Sequence, residues 1–148
     1  MSTVHQGFWD AFKAGDLAGT PALWAFLSMG AFTAEADAQT ISDFADVDEF
    51  DGTGYDRRAL AGVSIAWDVT NDRLKIDFDD PDFGAAGNVA PGSGVIASLT
   101  VFLRVDGTDA NDVPLLTTTE GGFGVNANNG LLVYVVSGSG FAVGRIAD

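Results

Sequence analysis

Residues 63–78 read VSIAWDVTNDRLKIDF, and this stretch decides the fold class of the chain. Apolar side chains occupy alternate positions in two runs, which is the period of a β-strand with one buried face. Residues 70–72 lie between the runs and supply a turn. Since each buried side chain of this size contributes roughly 1.5–3 kcal/mol, the predicted hairpin is expected to anchor the core. Its core-facing residues are Val63, Ile65, Trp67, Val69, Leu74, Ile76 and Phe78.

The chain after this hairpin continues as short strands and turns. Residues 114–117 and 141–146 predict two short strands, and Asn128-Asn129-Gly130 predicts a hairpin turn leading into a strand over 131–137. Such a pattern predicts a mainly β fold, an antiparallel β-sandwich or barrel. The longest alternating run is 95–105, with one face formed by Val95, Ala97, Leu99, Val101, Leu103 and Val105.

The segment before the hairpin begins with one short N-terminal helix. Thr3 and Gln6 have the spacing of a capping box, and Val4, Phe8 and Phe12 recur at helical spacing. A glycine and an aspartate follow at positions 15 and 16, and they predict the end of the helix.

The length of the chain fits one domain, with 148 residues and a mass of 15.3 kDa. Residues 1–20 are assigned to the helix and a linker, and residues 21–148 to the β-core. Within that core, residues 22–29 (ALWAFLSM) predict a central strand buried on both faces. Residues 31–50 lack periodicity and predict a long surface loop.

The charge and composition exclude several classes of function. The net charge is −14 with only seven Lys and Arg residues, so we expect no nucleic-acid and no anionic membrane partner. Without cysteine, thiolate catalysis and cysteine metal sites are excluded. The single histidine, His5, leaves no base for a catalytic triad. We expect no signal peptide, no membrane span, no cofactor and no enzymatic activity.

The aspartate-rich segments suggest a calcium site. An EF-hand loop starting at Asp46 fails, because its fifth, sixth and twelfth positions hold Phe50, Asp51 and Arg57. An irregular site with backbone carbonyls is a weaker candidate, and a solvated acidic loop is the alternative. The candidate ligands are Asp77, Asp79, Asp80 and Asp82.

Two stretches are candidates for subunit contact. Residues 51–54 (DGTG) predict a turn that aims Tyr55 and two arginines, Arg57 and Arg58, which form a rare basic spot on an acidic chain. The alternative is an internal tether made by Tyr55 packing and an Arg–Asp pair. In the helix, Phe8, Trp9 and Phe12 are bulky enough to dock on a neighbouring subunit, and the alternative is an amphipathic lid on a sheet.

The order of these motifs resembles that of small structural proteins of tailed bacteriophages. A short aromatic helix (8–13) and an apolar strand are followed by a polar loop and the segment Glu49-Phe50-Asp51-Gly52-Thr53-Gly54-Tyr55-Asp56-Arg57. A lead into a hairpin (60–78), a long alternating strand and a Pro-Leu strand with a Gly/Asn turn and final β segments (114–146) complete the pattern. The chain departs from it at 121–124 (GGFG).

This resemblance implies a non-catalytic virion component without cofactors. A decoration (cement) protein would bind the major capsid protein on the outside of the head and would itself form homotrimers. A minor tail, fibre-associated or neck protein is the alternative location. The expected location is therefore the virion, assembled in the host cytoplasm.

A carbohydrate-binding β-sandwich is a further alternative, with a tryptophan as its stacking platform. Trp67 alternates with core residues and Trp24 lies in an apolar run, so both are expected to be buried. Trp9 is the remaining candidate.

Overall fold

The computed structural model describes residues 2–29, 35–70, 73–84, 87–119, 122–136 and 141–145, the last range by its backbone alone. The described chain is mainly β, with antiparallel strands in two sheets and one short helix near the N-terminus. This β-sandwich-like arrangement confirms the predicted fold class, and the two separate sheets favour the sandwich over the barrel.

The larger sheet has five strands in the order β1-β7-β6-β2-β3. All its neighbours are antiparallel, and Leu27 lies opposite Leu99 at its centre. The predicted strand at 114–117 is confirmed as part of this sheet. Its strands are β1 (Ser2–Val4), β2 (Leu23–Met29), β3 (Arg58–Ala59), β6 (Ile96–Leu103) and β7 (Val113–Thr118).

The smaller sheet has three strands in the order β4-β5-β8. It contains the predicted hairpin, with Ile65 opposite Ile76 and Trp67 opposite Leu74. The predicted last strand is also confirmed, because it pairs with β5. The strands are β4 (Ser64–Asp68), β5 (Arg73–Asp77) and β8 (Phe141–Arg145).

The hairpin is buried less deeply than its alternation predicts. Ile76 and Phe78 are buried, but Trp67 is 40% exposed and Val69 is 82% exposed. The end of the hairpin next to its turn therefore lies outside the core. The prediction that Trp67 and Val69 face the core is wrong, because alternation reports which face a side chain lies on and not whether another layer covers it.

The main core lies between the two sheets. Leu27 and Leu99 from the larger sheet pack with Ile76 and Phe83 in one cluster. The opposite face of β2 is also covered, since Phe26 is fully buried in a second cluster. These contacts confirm that β2 is a central strand buried on both faces.

The segment after β2 is not simply a surface loop. Ala38, Ile41 and Phe44 recur every third residue, and all three are buried against Phe26 and Phe102. A short 3₁₀ helix (Ile41–Asp43), with a capping box between Thr40 and Asp43, holds these three side chains in place. The described part of the segment therefore corrects the surface-loop prediction, and residues 31–34 of that loop lie outside the described residues.

The N-terminal helix, α1, spans Gln6–Ala14 and begins later than predicted. Thr3 does not cap it, because Ser2–Val4 pair with β7 as a strand and His5 takes the N-cap position. The predicted end is confirmed, since Gly15 adopts a left-handed conformation with φ of 84°. No helix in the described ranges is both long and apolar enough to cross a membrane.

Two strand predictions in the last third are corrected. The run at 95–105 forms a shorter strand, with Val95 and Val105 48% and 60% exposed beyond its ends. Asn129 has a positive φ of 63°, as a turn requires, yet no hairpin ladder follows it in the described residues. Instead, residues 122–136 form isolated β-bridges with other parts of the chain. Val125 pairs with Ile96, Gly130 with Val89 and Val133 with Asp82.

Candidate interaction surfaces

The turn at residues 51–54 positions Tyr55 as predicted. Gly54 has a φ of 92°, and the N–H of Tyr55 donates to the carbonyl of Gly52 at 3.0 Å. The Tyr55 ring lies edge-on to Phe50, with ring centres 5.5 Å apart, and stacks on Phe83 at 6.0 Å. Aromatic contacts of this kind add to the gain from burial, so Tyr55 anchors the turn to the core.

The hydroxyl of Tyr55 completes the edge of strand β2. It accepts the N–H of Leu27 at 2.9 Å and donates to Oε1 of Glu49 at 3.0 Å. Burial, together with the neighbouring carboxylate of Glu49, raises the pKa of Tyr55 above its usual range. Tyr55 is thus a neutral structural group at any ordinary pH.

Arg57 is engaged inside the chain. Its guanidinium donates to both oxygens of Glu49, with the shortest distance 2.7 Å, and to both oxygens of Asp109, with the shortest 2.6 Å. It also lies over the rings of Phe26 and Phe102, 5.1 Å and 5.7 Å from their centres. Burial opposes the charge, but the hydrogen bonds to the two carboxylates outweigh it and raise the pKa of Arg57.

This network favours the internal tether over the subunit contact for Tyr55 and Arg57. Glu49 and Arg57 lie on either side of the turn at 51–54, and Asp109 lies 52 residues after Arg57, so their bidentate pairing fixes the turn to a distant part of the chain. A partner molecule would have to break these bonds to use Arg57. The sequence identified Tyr55 and Arg57 correctly as residues that make specific contacts. Their hydrogen-bond donors, however, point to groups within the chain and not to a partner.

Arg58 is placed differently from its neighbour. It is partly exposed, and its guanidinium has no hydrogen bond or ion pair to another described residue. It lines an open cleft of about 390 Å³ together with Trp24, Asp79 and Asp82. Arg58 therefore remains a candidate for contact with a partner molecule.

A second cleft, of about 680 Å³, adjoins the first along Trp24 and Arg57. The guanidinium carbon of Arg104 lies 4.0 Å from the centre of the Trp24 ring, which is a close cation–π contact. Asp56 and Asp109 line the same cleft. Trp24 is thus only half-buried, contrary to its expected burial, but Arg104 covers one face of its ring.

Three of the four calcium candidates line the open cleft beside Arg58, but hydrogen bonds and an ion pair within the chain engage most of these carboxylates. Asp77 pairs with Lys75 at 2.9 Å, Asp80 accepts the N–H of Val136, and Asp82 accepts the N–H of Gly84. Among the described residues, no three acidic or histidine side chains have the geometry to hold a metal ion. The weaker alternative of a calcium site at these aspartates therefore finds no support in the described residues. The fourth candidate, Asp79, lies close against the backbone of Gly62.

The aromatic face of α1 is divided between core and solvent. Phe8 is fully buried, so the prediction that it contacts another subunit is wrong. Trp9 is 38% exposed and Phe12 is 51% exposed, and both rings rest against Phe8. Because Phe8 fixes them from below, Trp9 and Phe12 remain candidates for contact with a partner.

His5 is a structural residue in the described chain. It is fully buried, and burial lowers the pKa of its imidazole, so the ring is neutral. Nδ1–H donates to the carbonyl of Glu35 at 2.7 Å, which leaves Nε2 to accept the hydroxyl of Thr117 at 2.8 Å. Thr117 in turn receives the hydroxyl of Thr100.

The sequence reasoning missed an exposed apolar surface, which we name the neutral face. It consists of Val125, Leu131, Val133 and Val135, which are 54%, 68%, 42% and 70% exposed. Three of them border a groove of about 150 Å³ whose lining has no charged residue. One signal was available in the sequence, because no charged residue occurs between Glu120 and Arg145.

Comparison of the chain with protein-family models, with curated proteins and with solved structures finds no significant match. The contacts and exposed surfaces of the chain itself must therefore support any functional assignment.

Proposed function

We propose that this protein is a non-enzymatic structural component of a bacteriophage virion, most specifically a decoration protein that binds the major capsid protein on the outside of the head. The observation that carries the proposal is the exposure of two large apolar side chains, Trp9 and Phe12, on α1 of a strongly acidic chain. Exposed apolar clusters on a folded chain are typical of protein–protein contacts. The resemblance in motif order supplies the class of partner.

A decoration protein acts by adding interface between neighbouring capsid subunits. Obligate contacts of this kind bury ~2,000 Å² or more. Because the protein binds the assembled shell and not its separated subunits, it stabilises the shell by mass action. Trp9 and Phe12 suit the contact, since their positions are fixed by the buried Phe8. The acidic remainder of the surface would stay in water and keep the particle soluble.

The test compares capsids stripped of this protein with capsids to which the purified protein has been returned. We expect re-addition to raise the temperature at which the shell opens. The double variant Trp9→Ala/Phe12→Ala should bind at least about 100-fold more weakly, because each truncated aromatic anchor costs about 2 kcal/mol or more. Trp67→Ala is the matched control, since Trp67 is 40% exposed on a different surface.

Two results would oppose this proposal. Stripped and decorated capsids of equal thermal stability would remove the cement role. Equal binding by wild type and the double variant would remove α1 as the contact. The number of copies per particle distinguishes the head from the alternative location in the tail or neck. A head protein is present in hundreds of copies, whereas a minor tail or neck protein is present in only a few.

A carbohydrate-binding role is the second candidate, favoured by the two clefts around Trp24. Arg104, Asp56 and Asp109 offer hydrogen-bonding groups beside a half-exposed indole. A sugar stacking on this ring would have to displace Arg104 from the face that it covers. Binding on a glycan array that is lost in Trp24→Ala would support this role, and an array without signal would oppose it.

A further inference from the structure

The neutral face is exceptional in its lack of charge. The chain has 21 acidic and seven basic residues, yet none of them lies between Glu120 and Arg145. The clefts around Trp24 each contain several aspartates, whereas the groove beside the neutral face is lined by Leu27, Ile96 and other uncharged residues. A surface without charge on a chain of net charge −14 requires a reason.

The side chains of residues 131–135 alternate as in a β-strand. Leu131, Val133 and Val135 are exposed, while Leu132 is partly buried and Tyr134 is buried, with its ring stacked on Phe123. Successive side chains of an extended segment point to opposite faces. The three exposed residues therefore form one apolar row.

The backbone of the same segment is paired on one side. The carbonyl of Leu132 accepts the N–H of Phe83 at 2.8 Å, and the N–H of Tyr134 donates to the carbonyl of Pro81 at 3.1 Å. In an extended segment the odd-numbered residues then direct their N–H and C=O groups to the opposite side. The backbone groups of Leu131, Val133 and Val135 make no hydrogen bond to another described residue.

An open, uncharged and apolar strand edge is a site for the addition of another strand. Natural proteins usually place charges on such edges to prevent pairing. Here the edge has none over its whole length. We propose that two copies of this chain associate through the neutral face, with residues 131–135 of each copy antiparallel about a two-fold axis at Val133.

The register follows from the alternation. With Val133 opposite Val133 of the second copy, Leu131 lies opposite Val135, so every odd residue faces an odd residue. All the free N–H and C=O groups of the edge then meet partners in hydrogen-bonded pairs. The exposed side chains of both copies join into one apolar row. A two-fold contact of this kind is self-complementary, as symmetric dimers require.

Charge identifies the occupant as a second copy. Two chains of net charge −14 repel each other wherever their acidic surfaces meet. A copy can approach closely only where the contacting side chains carry no charge. The exposed residues of the neutral face meet this condition, and the flanking carboxylates of Asp80 and Asp82 accept the backbone N–H groups of Val136 and Gly84. A basic partner would instead be attracted to the acidic surfaces elsewhere.

This inference goes beyond the proposed function and does not depend on it. It also predicts a two-fold pair where the resemblance implies a trimer. The association is measured on the purified full chain without capsids, by sedimentation equilibrium over a range of concentrations. A chain that remains monomeric would overturn the proposal but would leave the capsid-binding test of Trp9 and Phe12 unaffected.

Val133→Asp places two like charges at the axis, and we expect the dissociation constant to rise at least about 100-fold. Val69→Asp is the matched control, because Val69 is 82% exposed in the other sheet, and it should dimerise like wild type. Circular dichroism establishes that each variant is folded. If Val133→Asp does not fold, Leu131→Asp replaces it, since Leu131 is 68% exposed.

A cysteine at the axis tests the register. Hydrogen-bonded antiparallel pairs have Cα atoms about 5.5 Å apart, which is within the range of a disulfide. The chain has no cysteine of its own, so Val133→Cys introduces a single thiol. Its thiol should be oxidised to an intermolecular disulfide by air much faster than the thiol of Val69→Cys. A trimer, a dimer insensitive to Val133→Asp, or no faster cross-linking through Val133→Cys than through Val69→Cys would each overturn the proposal.

Discussion

At the scale of single residues, Arg57 and Arg58 are adjacent in sequence but differ in their surroundings. Arg57 is held by Glu49 and Asp109 and lies over two phenylalanine rings. Arg58 lines an open cleft without a described partner. Arg58 begins the short strand β3, whereas Arg57 lies just before it. One arginine serves folding, and the other is available to a ligand or partner.

Arg57→Ala should lower the free energy of unfolding by about 1–3 kcal/mol, because it removes charge-assisted hydrogen bonds to Glu49 and Asp109 and the contact with two phenylalanine rings. Arg58→Ala is the matched control and should change it by less than about 0.5 kcal/mol. Urea unfolding of the three proteins measures both values. Equal losses in the two variants would contradict the division of roles between the arginines.

Tyr55→Phe removes one hydroxyl and keeps the ring. The N–H of Leu27 and Oε1 of Glu49 both lose a partner, so we expect a loss of about 1–2 kcal/mol. Hydrogen exchange of the Leu27 amide should become faster, while the amide of Leu99 in the neighbouring strand should be protected as before, up to the change in global stability. An unchanged Leu27 exchange rate would show that the hydroxyl does not complete this edge.

His5 makes the stability depend on pH. Its pKa is lowered by burial, so the unfolded chain binds the proton more readily than the folded chain does. The free energy of unfolding should therefore fall as the pH is lowered below about 6.5, by at most about 1.4 kcal/mol for each pH unit. In His5→Gln this dependence should be absent between about pH 7 and pH 5.5, above the range in which most carboxylates titrate. Parallel slopes for both proteins would exclude His5 as the cause.

At the scale of elements, the turn before Tyr55 depends on a glycine whose replacement is opposed by both backbone strain and a steric contact. Gly54 has a φ of 92°, and a Cβ atom built there would lie 2.7 Å from the carbonyl oxygen of Asn88. Gly15, which ends α1, has a φ of 84° but open space around it. The two positions therefore share the backbone strain and differ only in the steric contact.

Gly54→Ala should cost about 2–4 kcal/mol, from strain and contact together. Gly15→Ala should cost about 1 kcal/mol, from strain alone. Thermal unfolding of the two variants gives the comparison. Similar losses would mean that the chain around Asn88 moves aside easily and does not restrain the turn.

The same contrast explains which elements could be predicted from the sequence. Strand β2 and the hairpin of β4 and β5 were predicted because their patterns are local and strong. Thr3 was misread because its strand pairs with β7, more than a hundred residues away, and such pairing is not visible in a local window. The predicted hairpin around Asn129 does not form for a related reason. The residues on either side of the turn make β-bridges to other parts of the chain and not to each other.

The candidate site was predictable only in part. Tyr55, Arg57 and Arg58 stand out in the sequence by type, but the partners Glu49 and Asp109 follow from the fold. Their charge makes the two arginines stand out in the sequence, but it does not indicate whether their side chains face the interior or the solvent. The neutral face was missed because an absence of charge attracts less notice than a cluster of it, although the sequence contained that signal.

At the scale of the whole molecule, the net charge of −14 opposes both compaction and association. The chain has few basic residues with which to balance this charge, and Arg57, Arg73 and Lys75 are already paired internally. Contacts between copies must therefore come from uncharged surface. The dependence of association on salt distinguishes an apolar contact from one made by opposite charges. Screening weakens the attraction between opposite charges, whereas it favours an apolar contact by weakening the repulsion between two acidic chains.

Self-association through the neutral face should strengthen with salt. Raising NaCl from about 0.01 M to about 0.15 M shortens the screening length from about 30 Å to about 8 Å, which weakens repulsion between two acidic chains but leaves apolar burial intact. Sedimentation equilibrium should show a lower dissociation constant for wild type at the higher salt, and Val133→Asp should remain monomeric at both. Dissociation by salt would contradict this, because it would mean that opposite charges, such as Arg58 against an aspartate of the second copy, form the contact.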